Sequence, residues 1–432
     1  VNPRDLVRPL EPPWQGVLDA VLSRSKLSTR DVARLAPKVQ ELSRAYNATS
    51  AEGVRTRPPI EARVAFSFPR DVPKGAGAAR ELVASGALSM PEGRALRVLD
   101  LGAGLGAMIW GLVRALAAAG ETGRVEACLV DEDEEALRHA VEIGRAARSI
   151  IGERPVELAI ATRAESIAAY VERFTGPPAD VAILGQVLSE LDPGEPPDVR
   201  VERHASLIAR VLKSTVTPSG SVIVVEPALR DRTRHLHAVR DRLLAGAGPH
   251  GRVTPFAPCL HAERCPALAA EGEWCHEDLP VDLPPWVQPL ARASGLRWQG
   301  LTFSYLVLRK DGRSPLERLD RDDPHRMRLR VVSELLRSKG KVELFTCGED
   351  GSRLRLRRLD RDAKTCRGVP FDDLHRGDIV TLSSAAAEGG APHDSAPEPG
   401  REEERVPERP VDERGRVRAG THVAIDVGKV SK

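Results

Sequence analysis

The chain has 432 residues with 64 Lys and Arg against 62 Asp and Glu, so a net charge of +2 draws it as a whole to no polyanion. Hydrophobic residues make up 41% and charged ones 29%, a globular balance that excludes collagen-like and wholly disordered classes. With 7 Phe, 5 Trp and 3 Tyr, extended base-stacking surfaces are excluded too. No apolar run approaches a membrane span, and Val1-Asn2-Pro3-Arg4-Asp5 opens no signal-peptide core, so a soluble cytoplasmic protein without membrane contacts is expected. Nothing bears on oligomeric state, and a monomer is the expectation.

Residues 1–90 read as a helical region: Trp14, Leu18 and Leu22, then Val32, Leu35, Val39 and Leu42, recur at helical spacing. Ser28 and Thr29 offer a hydroxyl N-cap to the second segment. Thr56-Arg57-Pro58-Pro59 separates it from a shorter helix near 76–86. From about 95, short apolar strands alternate with amphipathic helices. The strands are Leu96–Leu101, Val125–Val130, Val156–Ile160, Val181–Leu184 and Ser221–Val225; the helices fall near 106–119, 133–148, 164–173, 200–213 and 229–245. Such alternation predicts βαβ units, hence a Rossmann-like α/β domain over 91–310 with helices on both faces of a parallel sheet. A Pro-rich, cysteine-bearing segment at 250–285 interrupts it before a helix near 285–294 and a strand, Leu301–Leu308.

Residues 309–368 hold 18 basic against 11 acidic residues, a local +7. Val342–Thr346, Arg353–Leu359 and Ile379–Leu382 alternate as strands of a small, basic β-rich unit over 311–383. Residues 384–432 lack aromatics and leucine and are rich in Pro, Glu and Arg, which predicts a disordered tail.

Val98-Leu99-Asp100-Leu101-Gly102-Ala103-Gly104-Leu105-Gly106 is a strand running into a glycine turn ahead of a helix. Glycines there let the backbone turn tightly and approach a ligand, and the helix N-terminus behind offers free N–H groups. Asp131 ends the next strand, where a carboxylate takes a ribose hydroxyl pair. A dinucleotide turn places its third glycine one residue later, at Ala107. The observed Asp-x-Gly-x-Gly-x-Gly form resembles the first motif of class I S-adenosylmethionine-dependent methyltransferases, which implies cofactor contacts from Asp100, Gly102, Gly104, Gly106 and Asp131. Gln186, Ser189 and Glu190 follow the fourth strand at the same sheet edge and face cofactor or substrate, or Ser189 and Glu190 merely start and cap the next segment. No Asn/Asp-Pro-Pro-Tyr/Phe element and no Pro-Cys nucleophile pair stands in the sheet, so the catalytic residues are not identified.

Three of the six cysteines, Cys259, Cys265 and Cys275, fall within 17 residues as C-x5-C-x9-C. In a reducing compartment this density points to metal or redox chemistry. The spacing lacks the paired CxxC knuckles of structural zinc sites, whereas iron–sulfur clusters tolerate irregular spacing but need a fourth thiolate. Cys347 and Cys366 are the candidates; zinc completed by His261 or His276 is the rival, and incidental thiols the bland alternative. Cys128, between Ala127 and Leu129 in an apolar strand, reads as core.

The order of Val98–Gly106, Gln186–Leu191, Glu226-Pro227, Arg240-Asp241-Arg242-Leu243-Leu244, Pro258–Pro266, Trp274-Cys275-His276 and Phe303-Ser304-Tyr305-Leu306 resembles the methyltransferase-like family that associates with the mitochondrial small ribosomal subunit, bacterial members included. The resemblance covers roughly 30–360. It implies a class I methyltransferase fold, S-adenosylmethionine, a four-cysteine [4Fe–4S] cluster and a role in small-subunit assembly through its rRNA, with ribosomal proteins as further partners. Cys259, Cys265 and Cys275 match three cluster ligands. The fourth, on a strand before a Gly-containing turn, matches Cys347 in Phe345-Thr346-Cys347-Gly348, and Cys366 has no counterpart. Leu105 stands where the family often has Pro, and Phe66-Ser67-Phe68-Pro69-Arg70 matches its Tyr/Arg-Leu-Pro element weakly.

Overall fold

A computed structural model describes residues 1–52, 58–246, 253–315, 325–384 and 409–426. It opens with helices α1 (Pro13–Leu22), α2 (Val32–Glu52) and α3 (Ile60–Ala62); a π turn over Arg63–Ser67 leads from α3 into α4 (Phe68–Ala84). The helix expected near 76–86 thus starts earlier, with Pro69 in its first turn and Pro73 inside it.

The central sheet alternates β1 (Leu96–Leu101), α5 (Ala107–Ala118), β2 (Gly123–Asp131), α6 (Glu134–Ile151), β3 (Val156–Ala164), α7 (Ile167–Glu172), β4 (Ala179–Gly185), α8 (Pro197–Ser214), β5 (Val216–Glu226) and α9 (Arg230–Ala245). Then come β6 (Thr254–Ala257), β7 (Glu277–Leu279), α10 (Gln288–Ala293) and β8 (Leu301–Arg309). The strand order is β3-β2-β1-β4-β5-β8-β6, with β1 to β5 parallel and β8 antiparallel between β5 and β6. This is the Rossmann-like arrangement of the class I methyltransferase fold: it reverses direction of build at β1, so β1 and β4 flank a crevice at the carboxyl edge. The short strands β6 and β7 lie in the segment that reads as irregular in sequence; both recruit their hydrogen bonds from β8.

Period-two alternation gives the sheet two apolar faces. Val98, Ile183, Ile223 and Val307 face one core, and Leu99, Ala182, Val222 and Leu306 face the other, with α7, α8 and α9. The N-terminal helices belong to the first core: Trp14 stands edge-on to Trp110 of α5 at 5.0 Å, and Leu18, Leu35, Phe68 and Leu82 pack with the sheet. No helix among the described residues is long and apolar enough to cross a membrane.

The basic unit is a second sheet of β9 (Arg326–Val331), β10 (Leu336–Ser338), β11 (Lys341–Gly348), β12 (Arg353–Leu359), β13 (Arg367–Gly368), β14 (Ile379–Ser383) and β15 (His422–Ile425). Its order is β10-β11-β9-β14-β15-β13, with β12 on β11. The disordered tail expected over 384–432 is corrected for its later part. His422–Ile425 pairs antiparallel with β14, and Val411, Val417 and Val423 enter the core of the unit. Four alternating residues suffice because a waiting edge strand supplies the partners. The intervening 385–408 lie outside the described residues.

A buried ionic network fastens this unit to the methyltransferase-like body. Arg330 of β9 donates to both carboxylate oxygens of Glu81 on α4, at 2.9 and 2.7 Å, and to the Pro258 carbonyl at 2.9 Å. Tyr305 donates to the same Glu81 at 2.8 Å, and Arg80 pairs with Glu277. All of these side chains are buried, so each charge relies on its partner in place of water.

Candidate functional site

At the carboxyl edge of β1, β2 and β4 opens a cleft of about 860 Å³. Gly102, Gly104 and Gly106 hold φ of +75°, +50° and +75°, a region costly for side-chain-bearing residues. A Cβ on Gly102 would come within 2.4 Å of Val187, and one on Gly104 within 3.0 Å of the Arg63 guanidinium. The Gly104 N–H donates to Asp131 Oδ2 and the Asp133 N–H to Asp131 Oδ1, both at 2.8 Å, which fixes the carboxylate at the cleft wall.

Gly102, Gly104, Asp131 and Gln186 line the cleft. Asp100 and Gly106 stand outside that lining. Asp100 is fully buried beneath the turn, with neither carboxylate oxygen hydrogen-bonded; burial, reinforced by Asp131, pushes its carboxyl up to about 8. Gly106 is the N-cap of α5, and a side chain there would press on Leu129.

Gln186 has φ +61°, uncommon for a non-glycine residue. Its N–H donates to the Val225 carbonyl at 2.6 Å, and its Oε1 accepts from Lys74 at 3.4 Å. Lys74 is buried and pairs with Asp71 at 2.7 Å; burial pushes its ammonium down, opposed by Asp71. Glu190 lines the cleft. Ser189 instead bonds Glu226, whose carboxyl burial pushes up to about 7 against bonds from Ser189 and the Leu188 N–H.

The helical region supplies wall residues that sequence reasoning missed. Arg63, from the π turn, pairs with Asp133 at 2.5 Å, and Tyr46 and Asp71 complete that side. The only sequence signal was the weak match at Phe66–Arg70, next to them. The site fits the nucleoside and amino-acid parts of S-adenosylmethionine: bare glycine backbone, a fixed carboxylate for ribose hydroxyls and an orphaned buried acid beneath.

Across α9, Cys259, Cys265, Cys275 and Cys347 line a second, small cavity of about 30 Å³. One stripe of α9 builds it. Arg234 donates to the carbonyls of Ala267, Ala270 and Glu273 at 3.0, 2.7 and 2.8 Å, and His237 accepts the Cys275 N–H at 3.1 Å. Arg240 donates to the carbonyls of His261 and Glu263 at 2.6 and 2.8 Å, and Asp241 accepts the Cys265 N–H at 3.0 and 2.9 Å. These positions recur every three to four residues, hence one helix face. Burial, with Arg240 and Arg234 adding repulsion, pushes His237 down to about 3, which suits a neutral acceptor.

Burial and the neighbouring thiols push Cys265 up to about 12 and Cys275 up to about 11, and raise Cys347 likewise. Cys347 Sγ lies 3.3 Å from His261 Nε2. Among the described residues no group of three or more His, Cys, Asp or Glu stands arranged as it is to hold a metal ion. The donor set is nonetheless all thiol, and Arg240, Arg330 and Arg353 line the same cavity, a cationic setting for thiolate charge. Cys366 packs against the β-unit core and His276 stacks on Trp274 at 5.7 Å; neither lines the cavity. Cys128 packs in the sheet, 3.6 Å from the Tyr170 hydroxyl.

Among solved structures the chain is similar to a SAM-dependent methyltransferase from Agrobacterium tumefaciens, at 15% identity over 56% of this chain and 63% of that one, TM-score 0.30. It thus spans less than two thirds of that protein. Similar too are precorrin-6y C5,15-methyltransferase from Geobacter metallireducens (14% identity, 53% of this chain, 87% of that one, TM-score 0.26) and an arsenic(III) S-adenosylmethionine methyltransferase from Chlamydomonas reinhardtii (14%, 57% and 76%, TM-score 0.27). No curated protein matches the chain. The family described as mitochondrial small ribosomal subunit Rsm22 matches residues 71–365, a span that holds the glycine turn, Gln186, α9 and all four cavity cysteines. The chain belongs to the Rsm22 family.

Proposed function

We propose that this protein binds S-adenosylmethionine in the glycine-turn cleft and acts on the small ribosomal subunit through its rRNA in the cytoplasm. The observation that carries this reading is the family match over 71–365, which encloses a cleft at the carboxyl edge of β1 and β4. Gly102 and Gly104 leave the backbone bare for ligand approach, and Asp131, held by two main-chain N–H groups, accepts hydrogen bonds from ribose hydroxyls. Bound there, S-adenosylmethionine supplies an electrophilic methyl group. Gln186, fixed by Lys74, stands at the end of β4, where an acceptor would approach.

The four cysteines are assigned to a [4Fe–4S] cluster, with zinc as the alternative. Cys259, Cys265, Cys275 and Cys347 would hold it, Cys347 reaching from β11 to the segment after the sheet. Its role is mainly structural, since metal binding at a site assembled by folding adds to folding free energy. The basic β-unit, fixed in this way, presents arginines to RNA phosphates.

A second reading, a ribosome-assembly factor that binds the cofactor without transferring methyl groups, is favoured by one feature. Gly185-Gln186-Val187-Leu188 carries none of the acceptor-holding motifs at the end of β4, and the acid that lines the cleft there is Glu190. Calorimetric titration with S-adenosylmethionine, followed by transfer of labelled methyl to immature small subunits, separates the two. Binding with transfer supports the enzyme, binding without transfer the assembly factor, and no binding overturns both.

A further inference from the structure

The second sheet has one face that its own core does not use. In the β11–β12 hairpin the register sets Lys341 opposite Leu359, Glu343 opposite Arg357, Phe345 opposite Arg355 and Cys347 opposite Arg353. Val342, Leu344 and Leu356 point inward to the core of the unit, so the odd-numbered residues share the other face. One end of that face closes over the cysteine segment, where Cys347 lines the cavity and Arg353 pairs with Glu273 at 3.1 Å. The other end is open: the Arg355 side chain is 49% exposed, and Arg357 and Lys341 about a third.

At the centre lies Phe345, a partly exposed ring with the guanidinium groups of Arg353 and Arg355 each 5.7 Å from its centroid. Glu343 is buried and gathers three cations: Arg355 at 2.8 Å, Arg357 at 2.9 Å and Lys341 at 2.9 Å. One carboxylate against three cations leaves a local excess of positive charge. Each arginine commits one nitrogen to Glu343 of the five N–H donors its guanidinium carries, and the two side chains stay 49% and 33% exposed. Leu336, paired opposite Glu343 on the adjoining strand β10, adds an exposed apolar side chain on the same face.

We propose that this face is a binding site for single-stranded RNA, with a base stacked on Phe345 and phosphates on Arg355, Arg357 and Lys341. The assignment rests on the ribosomal-RNA reading above and gives it a location. A flat β-surface with an aromatic ring flanked by guanidinium groups suits an unpaired base, whose face a duplex would hide. The held arginines supply the backbone contacts. An acidic peptide would satisfy the charge but leave Phe345 and Leu336 without a use. The low aromatic content is no obstacle, since one ring suffices for a short strand.

The test is fluorescence anisotropy of the full chain with a short labelled single-stranded RNA of mixed sequence, over a series of salt concentrations. Phe345→Ala weakens binding roughly tenfold with an unchanged salt slope, and Phe345→Tyr restores it. The double variant Arg355→Ala/Arg357→Ala lowers the salt slope by about one to two. Arg173→Ala, an exposed position on the other domain, leaves both unchanged. Melting curves confirm that each variant is folded, and Phe345→Tyr keeps the site testable if the alanine variant is not. If wild type binds RNA and neither hairpin variant alters affinity or slope, the location is wrong while the ribosomal reading stands. No RNA binding by wild type overturns that reading itself. Equal competition by duplex RNA or by a poly-glutamate peptide overturns the choice of an unpaired strand.

Discussion

The cofactor cleft takes its glycines and Asp131 from two successive βα units, whereas the cysteine cavity collects Cys259, Cys265, Cys275 and Cys347 from separate stretches of the chain. The first is open, near 860 Å³, and keeps its shape through main-chain bonds such as Gly104 to Asp131. The second is about 30 Å³, and burial and the neighbouring thiols push Cys265 and Cys275 up within it. A cleft built from local motifs can lose its ligand and remain folded. A centre that ties distant segments together makes its occupancy part of the stability of the fold.

Substitutions separate the two regions, and the largest effect is expected at the four cysteines. If the proposed cluster is held there, Cys347→Ser loses it and uncouples the β-unit, seen as absent iron absorbance and a second, lower melting transition. The ionic fastening comes next. Glu81→Leu leaves Arg330 without its buried carboxylate, and a loss of about 3–5 kcal/mol is expected in urea unfolding. On the cleft side, Asp131→Asn should lower affinity for S-adenosylmethionine by roughly ten- to a hundredfold, measured by calorimetry, with metal content unchanged.

A pH effect is read separately, on the melting temperature. The buried Asp100 carboxyl is raised from 3.8 to about 8 by burial and then by Asp131, so the folded state prefers it protonated. Its contribution is complete below pH 3.8 and is lost as pH rises through about 8. Asp100→Asn should therefore flatten the fall in melting temperature over that window; an unchanged profile would contradict the assignment. Smallest of all is Cys366→Ser, which should keep the metal and shift stability by no more than about 0.5 kcal/mol, since Cys366 lies outside the cavity.

The βα order was legible because the central strands β1, β4 and β5 place apolar residues on both faces and each helix shows its own period. β1 falls at Leu96–Leu101 as the sequence alone indicates. The glycine turn was legible because its residues are consecutive. What escaped was non-local. Tyr46, Arg63 and Asp71 reach the cleft from a helical region marked only by the weak match at Phe66–Arg70. Asp100 belongs to the same motif as the lining glycines, yet alternation along β1 turns it beneath the turn. The strand His422–Ile425 is hidden in a Pro, Glu and Arg-rich tail because its stability comes from β14. Charge counting found the +7 stretch but not its division of labour. Arg330 and Arg358 are buried in ion pairs, while Arg355 and Arg357 pair with Glu343 yet stay 49% and 33% exposed.

What the four thiols hold is tested most directly by metal analysis of anaerobically purified protein. A brown protein with about four irons and matching sulfide per chain is expected, lost in Cys347→Ser and kept in Cys366→Ser. One zinc without sulfide, or no metal at all in a fully folded chain, would contradict it.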